Sequence, residues 1–287
     1  MKIENEMPYK DLLLQLGTYR DVTSAIGVDK ALGVASCLGG RLTALTLDVD
    51  IAVPANPLAL PILDVQGMAT AEHERCVQAT NDLLSVLNAS AARAGVQVKH
   101  YTERTSLAYV PDVVIEYARL KDLTMIPIGD GTLQPYIAER VIFGAGRPVL
   151  LLPDRKDTSR DIVLDTIAVA WDFSRPAARA LGDALPLLQR AKVVRVVTVA
   201  NEKRIETTQS NGALATHLAF HGVDAIFDEE DAAGRTIGQA LEAYARRRDL
   251  DLLVMGAYGH SRFRDFILGG ATKSIVTNPP LPVLLSH

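Results

Sequence analysis

Three glycines near the end of the chain have a spacing that suits phosphate binding. Gly256, Gly259 and Gly269 follow the apolar run Leu252–Met255, which is short and uniform enough to be a strand buried on both faces. Glycine permits positive φ and lets backbone amides approach a ligand closely. A helix that begins near Gly270 would add unpaired amides and a partial positive charge. The pattern therefore predicts a phosphate cradle between a strand end and a helix start.

Polar side chains accompany these glycines. His260, Ser261 and Arg262 lie inside the glycine loop, where they can contact a polyphosphate, although a solvated loop would have the same composition. Gly-Gly-Ala-Thr-Lys-Ser at 269–274 superficially suggests a Walker loop, but no glycine directly precedes Lys273 and the order of elements is wrong. We therefore keep the spaced glycines as the signal.

The spacing Gly256, two residues, Gly259, nine residues, Gly269 resembles the nucleotide-binding signature of the universal stress protein family, which continues with Ser or Thr. The ending Pro282–Leu285 also resembles that family. The resemblance implies that the chain binds ATP or another adenine nucleotide, with or without Mg²⁺, and hydrolyses it slowly at most. One position departs, because Gly270 stands where ATP binders of the family carry a hydroxyl; Thr272 is an alternative source of one.

A second segment carries the resemblance further. Trp171-Asp172-Phe173-Ser174 is similar to the family's Asp-x-Ser segment, in which the aspartate lies close to the bound nucleoside, so the resemblance implies binding roles for Asp172 and Ser174. Both residue types also cap helices, and a cap near Pro176 is an equal alternative. Val199 ends the next predicted strand, where the family contacts adenine, but a valine there also suits a core strand.

These residues must be positioned by strands and helices whose order occurs twice along the chain. In the first half, predicted strands cover 11–16, 42–49, 96–102, 123–128 and 149–152, and predicted helices cover 24–37, 70–94 and 110–120. In the second half, predicted strands cover 166–171, 193–199, 224–228, 252–255 and 282–285, and predicted helices cover 177–189, 212–220, 236–247 and 271–277. Such alternation is typical of a parallel sheet flanked by helices.

The repeat predicts an α/β protein of two tandem domains, residues 1–155 and 160–287, each with a five-stranded parallel sheet. The resemblance implies a Rossmann-like fold of the adenine nucleotide alpha hydrolase type for both. It also implies that the domains pair about a pseudo-twofold axis through their last strands, Val149–Leu152 and Val283–Leu285. We expect two packed sheets rather than one continuous sheet.

The two copies differ where phosphate would bind. Alignment of Leu123 with Leu252 places Pro127 opposite Gly256 and Asp130 opposite Gly259. A proline donates no N–H, and an aspartate repels phosphate. We therefore predict that the first domain has lost its nucleotide loop and that a small-molecule nucleotide binds only in the second.

Composition and charge bound the partners. The chain has 287 residues, a net charge of −4 and a pI of about 5.9, so neither nucleic acid nor an anionic membrane is indicated as a partner. Without an apolar run of about eighteen residues or an export signal, we expect no membrane span and a cytoplasmic location. Cys37 and Cys76 are expected to be buried free thiols.

Two functions remain open from the sequence. The first is an ATP-binding stress-response protein, and the second is a nucleotide-free stress scaffold that acts through protein contacts or another small ligand; either could form a homodimer. We assign no catalytic residue, since no recognisable acid, base or nucleophile motif is present. His217 and His221 stand four apart on a predicted helix, but no third ligand is evident, so we predict no metal site.

Overall fold

The computed structural model describes residues 9–50, 65–156, 162–200, 208–257 and 270–287. Within these ranges the strands are β1 (Asp11–Gln15), β2 (Arg41–Asp50), β3 (Val98–Ser106), β4 (Leu123–Ile128), β5 (Val149–Pro153), β6 (Thr166–Ala170), β7 (Val193–Ala200), β8 (Ala225–Asp231), β9 (Leu252–Gly256) and β10 (Val283–Ser286). The helices are α1 (Ala25–Leu38), α2 (Val65–Ala94), α3 (Val110–Arg119), α4 (Leu133–Gly144), α5 (Arg175–Leu188), α6 (Asn211–Phe220), α7 (Ile237–Arg247) and α8 (Gly270–Thr277).

The ten strands form one sheet in the order β3-β2-β1-β4-β5-β10-β9-β6-β7-β8. Each half of the sheet is parallel, as predicted, and the halves meet through β5 and β10, which pair antiparallel with Leu284 opposite Leu150. Pairing through the last strands is therefore confirmed, but our expectation of two separate sheets is wrong. The reason is that β5 and β10 are both buried, and buried strand edges need partners for their backbone N–H and C=O groups.

The strand order also locates the switch points of the two halves. β1 and β4 are neighbours in the first half, and β6 and β9 are neighbours in the second. In the first half β2 and β3 lie on one side of the central pair and β5 lies on the other. In the second half β7 and β8 lie on one side and β10 lies on the other. Open α/β sheets bind ligands at the carboxyl ends of such strands.

Helices cover both faces of the sheet, and each core extends through both halves. On one face α1, α2, α5 and α6 bury apolar side chains that include Leu32 and Leu181. On the other face α3, α4, α7 and α8 do the same, with Val141 and Ile275 among them. The two domains therefore share both layers of their hydrophobic core.

Helix α4 was not predicted from the sequence. Its sequence begins Leu-Gln-Pro, and Gly144 ends it. Pro135 is tolerated because it lies in the first turn, where its missing N–H would have no helical partner. Helix α2 begins at Val65, five residues before the predicted start at residue 70; residues 51–64 lie outside the described residues.

The two cysteines are free, as expected, but they differ in exposure. Cys76 is buried, whereas Cys37 in the last turn of α1 is exposed, so the prediction of two buried thiols is wrong for Cys37. Among the described residues, no helix combines the length and apolar character that a membrane crossing requires.

Candidate functional site

Four of the predicted site residues lie at or just after the carboxyl ends of β6, β7 and β9. Asp172 and Ser174 follow β6, Val199 is next to last in β7, and Gly256 ends β9. Gly270 begins α8, and Thr272 lies in the first turn of that helix. Gly259, His260, Ser261, Arg262 and Gly269 lie outside the described residues.

Asp172 and Ser174 shape the start of α5. Ser174 has extended dihedrals, and its Oγ accepts a hydrogen bond from the Ala177 amide at 3.2 Å, which is the geometry of an N-cap. Asp172 Oδ1 accepts from the Ser174 amide at 3.0 Å. The capping interpretation of Ser174 is thus confirmed, and Asp172 orders the turn that leads into the cap.

Gly256 has a packing role at the same place. A Cβ on Gly256 would collide with the amide nitrogen of Ala177 and stand 2.5 Å from the carbonyl carbon of Pro176. Glycine therefore allows β9 to lie directly against the backbone at the start of α5. This contact brings the end of β9 and the Ser174 cap into one site.

The first residue of α8 is exposed, whereas a residue two positions later is buried. Among the described residues, no atom lies within 4 Å of the Cβ that a substitution would add at Gly270, so they leave room for a larger residue there. Thr272, by contrast, is only 5% exposed. A hydroxyl at residue 270 would thus be accessible to a ligand, whereas the hydroxyl of Thr272 belongs to the interior.

Two further side chains line this edge of the sheet. Val199 is partly buried and packs against the core on the α7 and α8 face, as the alternative of a core valine predicts. Trp171 Nε1 is buried and has no hydrogen-bond partner among the described residues, and the ring lies edge-on to Phe173 at 5.5 Å. No role was predicted for Trp171 from the sequence; its position as the one tryptophan of the chain, beside Asp172, was the available signal.

A charge network stands on the outer strands of the second half. Asp228 on β8 accepts hydrogen bonds from Arg195 Nη1 at 2.6 Å, Tyr244 Oη at 2.5 Å and Arg248 Nη2 at 3.2 Å. Burial alone would raise the pKa of Asp228, but the hydrogen bonds from Tyr244 and Arg195 outweigh it and lower that pKa. Burial and the bond to Asp228 raise the pKa of Tyr244 to about 12. The network stabilises the edge of the sheet.

The paired histidines contact each other through their rings. The His217 and His221 rings lie edge to face with centroids 4.8 Å apart. Across the ranges that the structure describes, no group of three or more His, Cys, Asp or Glu side chains is arranged to hold a metal ion.

The corresponding edge of the first half is built differently. Only four residues, 129–132, connect β4 to α4, whereas residues 257–269 connect β9 to α8. The loop between β1 and α1 is instead longer than its counterpart between β6 and α5. The cap Ser24 lies nine positions after the end of β1, whereas Ser174 lies four positions after the end of β6. The longer loop carries Asp21, whose carboxylate reaches the start of α4.

Comparison with known proteins gives a consistent picture. The model of the universal stress protein family matches residues 164–287. A universal stress protein from Synechocystis sp. is 41% identical over 51 residues, which are 17% of this chain and 18% of that relative's length. The solved universal stress protein from Archaeoglobus fulgidus has a TM-score of 0.69 at 15% identity and covers 98% of both chains.

A structure from Pseudomonas aeruginosa has a TM-score of 0.60 at 15% identity, covering 98% of this chain and 94% of that one. At such identities the likeness concerns the fold. Because both similarities extend over nearly the whole chain, they apply to the tandem arrangement of the two halves as well as to each half.

Proposed function

We propose that this chain, which is a member of the universal stress protein family with two domains in tandem, binds ATP or another adenine nucleotide in its second domain. The observation that carries the proposal is the meeting of β6 and β9 at a switch point. There the Ser174 cap and Gly256 are held in contact through the start of α5. This is the place where the predicted glycine loop begins.

The electrostatics of the described residues favour an anionic ligand at this place. The first turns of α5 and α8 carry no acidic side chain in the part of the chain that the structure describes. Their amides and partial positive charge can therefore serve phosphate oxygens. Asp172 would face the nucleoside, and Gly259, His260, Arg262 and Gly269 would surround the phosphates, as the family signature implies.

A nucleotide-free scaffold is the second candidate, and a specific observation favours it. The position after Gly269 is Gly270, which brings no hydroxyl, and Thr272 is buried. If that hydroxyl is essential, the fold would persist without nucleotide and act through protein contacts or another small ligand.

The test is a calorimetric titration of the full chain with ATP and Mg²⁺. Ser174→Ala removes a proposed ligand contact, and Ser210→Ala is its matched control, because Ser210 Oγ caps α6 by accepting from the Ala213 amide at 3.2 Å. Each substitution should lower the free energy of unfolding by about 1 kcal/mol, since each removes an N-cap. Only Ser174→Ala should weaken ATP binding.

The expected stoichiometry for the wild-type chain is one ATP. Saturation near two equivalents would contradict the assignment to the second domain alone. No binding, together with the absence of adenine nucleotide in ligands released from freshly purified protein, would favour the scaffold. Equal loss of affinity in both serine variants would show that the cap acts only on stability.

A further inference from the structure

The start of helix α4 is capped from a distant loop. Thr132 occupies the N-cap position, but its side chain makes no capping hydrogen bond within the described residues. Instead Asp21 Oδ2 accepts from the Leu133 amide at 2.5 Å and from the Gln134 amide at 3.2 Å. A carboxylate oxygen thus occupies the position that an oxyanion takes at a helix N-terminus.

Two glycines make room for this carboxylate. A Cβ on Gly131 would collide with the carboxyl group of Asp21. A Cβ on Gly17 would collide with the Asp21 carbonyl oxygen and stand 2.9 Å from Gln134 Nε2. The backbone on both sides therefore closes tightly around Asp21.

A second observation at this place also points to a polar ligand. Gln134 is only 3% exposed, and neither its Oε1 nor its Nε2 has a hydrogen-bond partner among the described residues. Gln15, at the end of β1, is 1% exposed, and its Oε1 is also without a partner there. Buried amide atoms without partners cost free energy, and an ordered water or ion is one way in which such atoms are satisfied.

This place corresponds to the edge of the sheet at which open α/β folds bind their ligands. Gln15 ends β1, Gln134 lies in the first turn of α4 beside Gly17, and β1 adjoins β4 at the switch point of the first half. We infer that this is an anion site which the chain fills itself, with the carboxylate of Asp21 in place of a phosphate-like oxyanion. The inference does not depend on nucleotide binding by the second domain.

Occupancy of this site by the Asp21 carboxylate explains why the first half would not bind an external phosphate. A second anion at the α4 amides would lie within a few ångströms of the Asp21 carboxylate, where like charges repel strongly in a partly buried setting. It would also find both amide donors already used. Removing the carboxylate should therefore free the two amide donors and eliminate one negative charge at the same time.

The experiment uses the full chain and inorganic phosphate as the probe, measured by equilibrium dialysis at constant ionic strength. Asp21→Ala should bind one more phosphate per chain than the wild type. The control Asp29→Ala also removes one carboxylate from the first half, in this case an exposed one that pairs with Arg93 at 3.6 Å, and should bind no extra phosphate. Any phosphate bound by the second domain is common to all three proteins and cancels in the comparison.

Asp21→Asn separates occupancy from charge, because the asparagine oxygen can still accept from the Leu133 and Gln134 amides. It should gain no phosphate site; a gain equal to that of Asp21→Ala would overturn the inference. A folded Asp21→Ala with wild-type phosphate stoichiometry would overturn it as well. If Asp21→Ala does not fold, Asp21→Ser is titrated in its place, and the same two outcomes decide.

Discussion

Gly256 at the end of β9 lies against the backbone of Ala177 in α5 so closely that no side-chain carbon fits between them. The two residues are far apart in sequence, yet their contact joins the carboxyl end of a central strand to the Ser174 cap. Gly256, which was predicted as part of the phosphate loop, therefore also has a packing role. Substitutions at Gly256 must be judged first by stability.

Gly256→Ala should lower the free energy of unfolding by about 1–3 kcal/mol, because backbone atoms of Pro176 and Ala177 must move. Gly182→Ala is the control, since Gly182 lies within α5 and a Cβ there meets no described residue within 4 Å. That control should raise stability by about 0.5–1 kcal/mol. Thermal unfolding measures both, and an unchanged melting temperature for Gly256→Ala would contradict the contact.

Gly270→Ser should leave stability nearly unchanged and tighten ATP binding. A serine side chain fits at this exposed position, and its hydroxyl would restore the residue type that the family signature carries there. A hydrogen bond to a charged group contributes about 1.5–3 kcal/mol at best, part of which is offset by lost solvation. Calorimetry with ATP on the variant and the wild type decides; weaker binding by the variant would speak against a phosphate at α8.

Leu284→Ala should destabilise both domains together. Leu284 is fully buried, pairs with Leu150 across the junction of the halves and belongs to a core that both halves share. We expect a loss of about 2–5 kcal/mol, whereas Leu120→Ala, at a position 81% exposed, should change stability by less than about 0.5 kcal/mol.

The unfolding of Leu284→Ala and of the wild type should each be one transition. Fluorescence of Trp171 reports on the second half, and far-UV circular dichroism reports on the whole chain. Their midpoints should coincide in denaturant. Two separated transitions would show that the halves unfold independently despite the continuous sheet.

Asp228→Asn should destabilise the protein in a pH-dependent way. The pKa of Asp228 is lower in the folded state than in the unfolded chain, so its contribution is fully present above the unfolded value of about 4. That contribution is lost as the pH falls through the folded pKa. The deficit of Asp228→Asn relative to the wild type should therefore be about 1.5–3 kcal/mol at pH 7 and shrink toward pH 3.

Denaturant unfolding at several pH values measures this deficit. Asp224→Asn is the control for net charge, because Asp224 is an exposed residue just before β8. A deficit for Asp228→Asn that stays constant between pH 7 and pH 3 would show that the network with Arg195 and Tyr244 does not stabilise the ionised carboxylate.

Features of short range were predictable from the sequence. The apolar runs of β4, β5 and β9 read as buried strands because parallel strands covered on both faces need no polar alternation. Ser174 was recognisable as a cap because an N-cap bonds an amide only three residues away. The repeat followed from the same local patterns, and the glycine spacing placed the candidate phosphate loop after β9.

Features that join distant parts of the chain were decided only by the tertiary structure. The pairing of β5 with β10 turned two expected sheets into one, because edge strands choose partners by burial and geometry that no local pattern records. Asp21 caps α4 from 112 residues away, and Gly131 permits it by lacking a Cβ. A long-range helix cap, a glycine that avoids a steric clash and the pairing of two edge strands all depend on distances in space. The types of the residues involved encode only local conformational preferences.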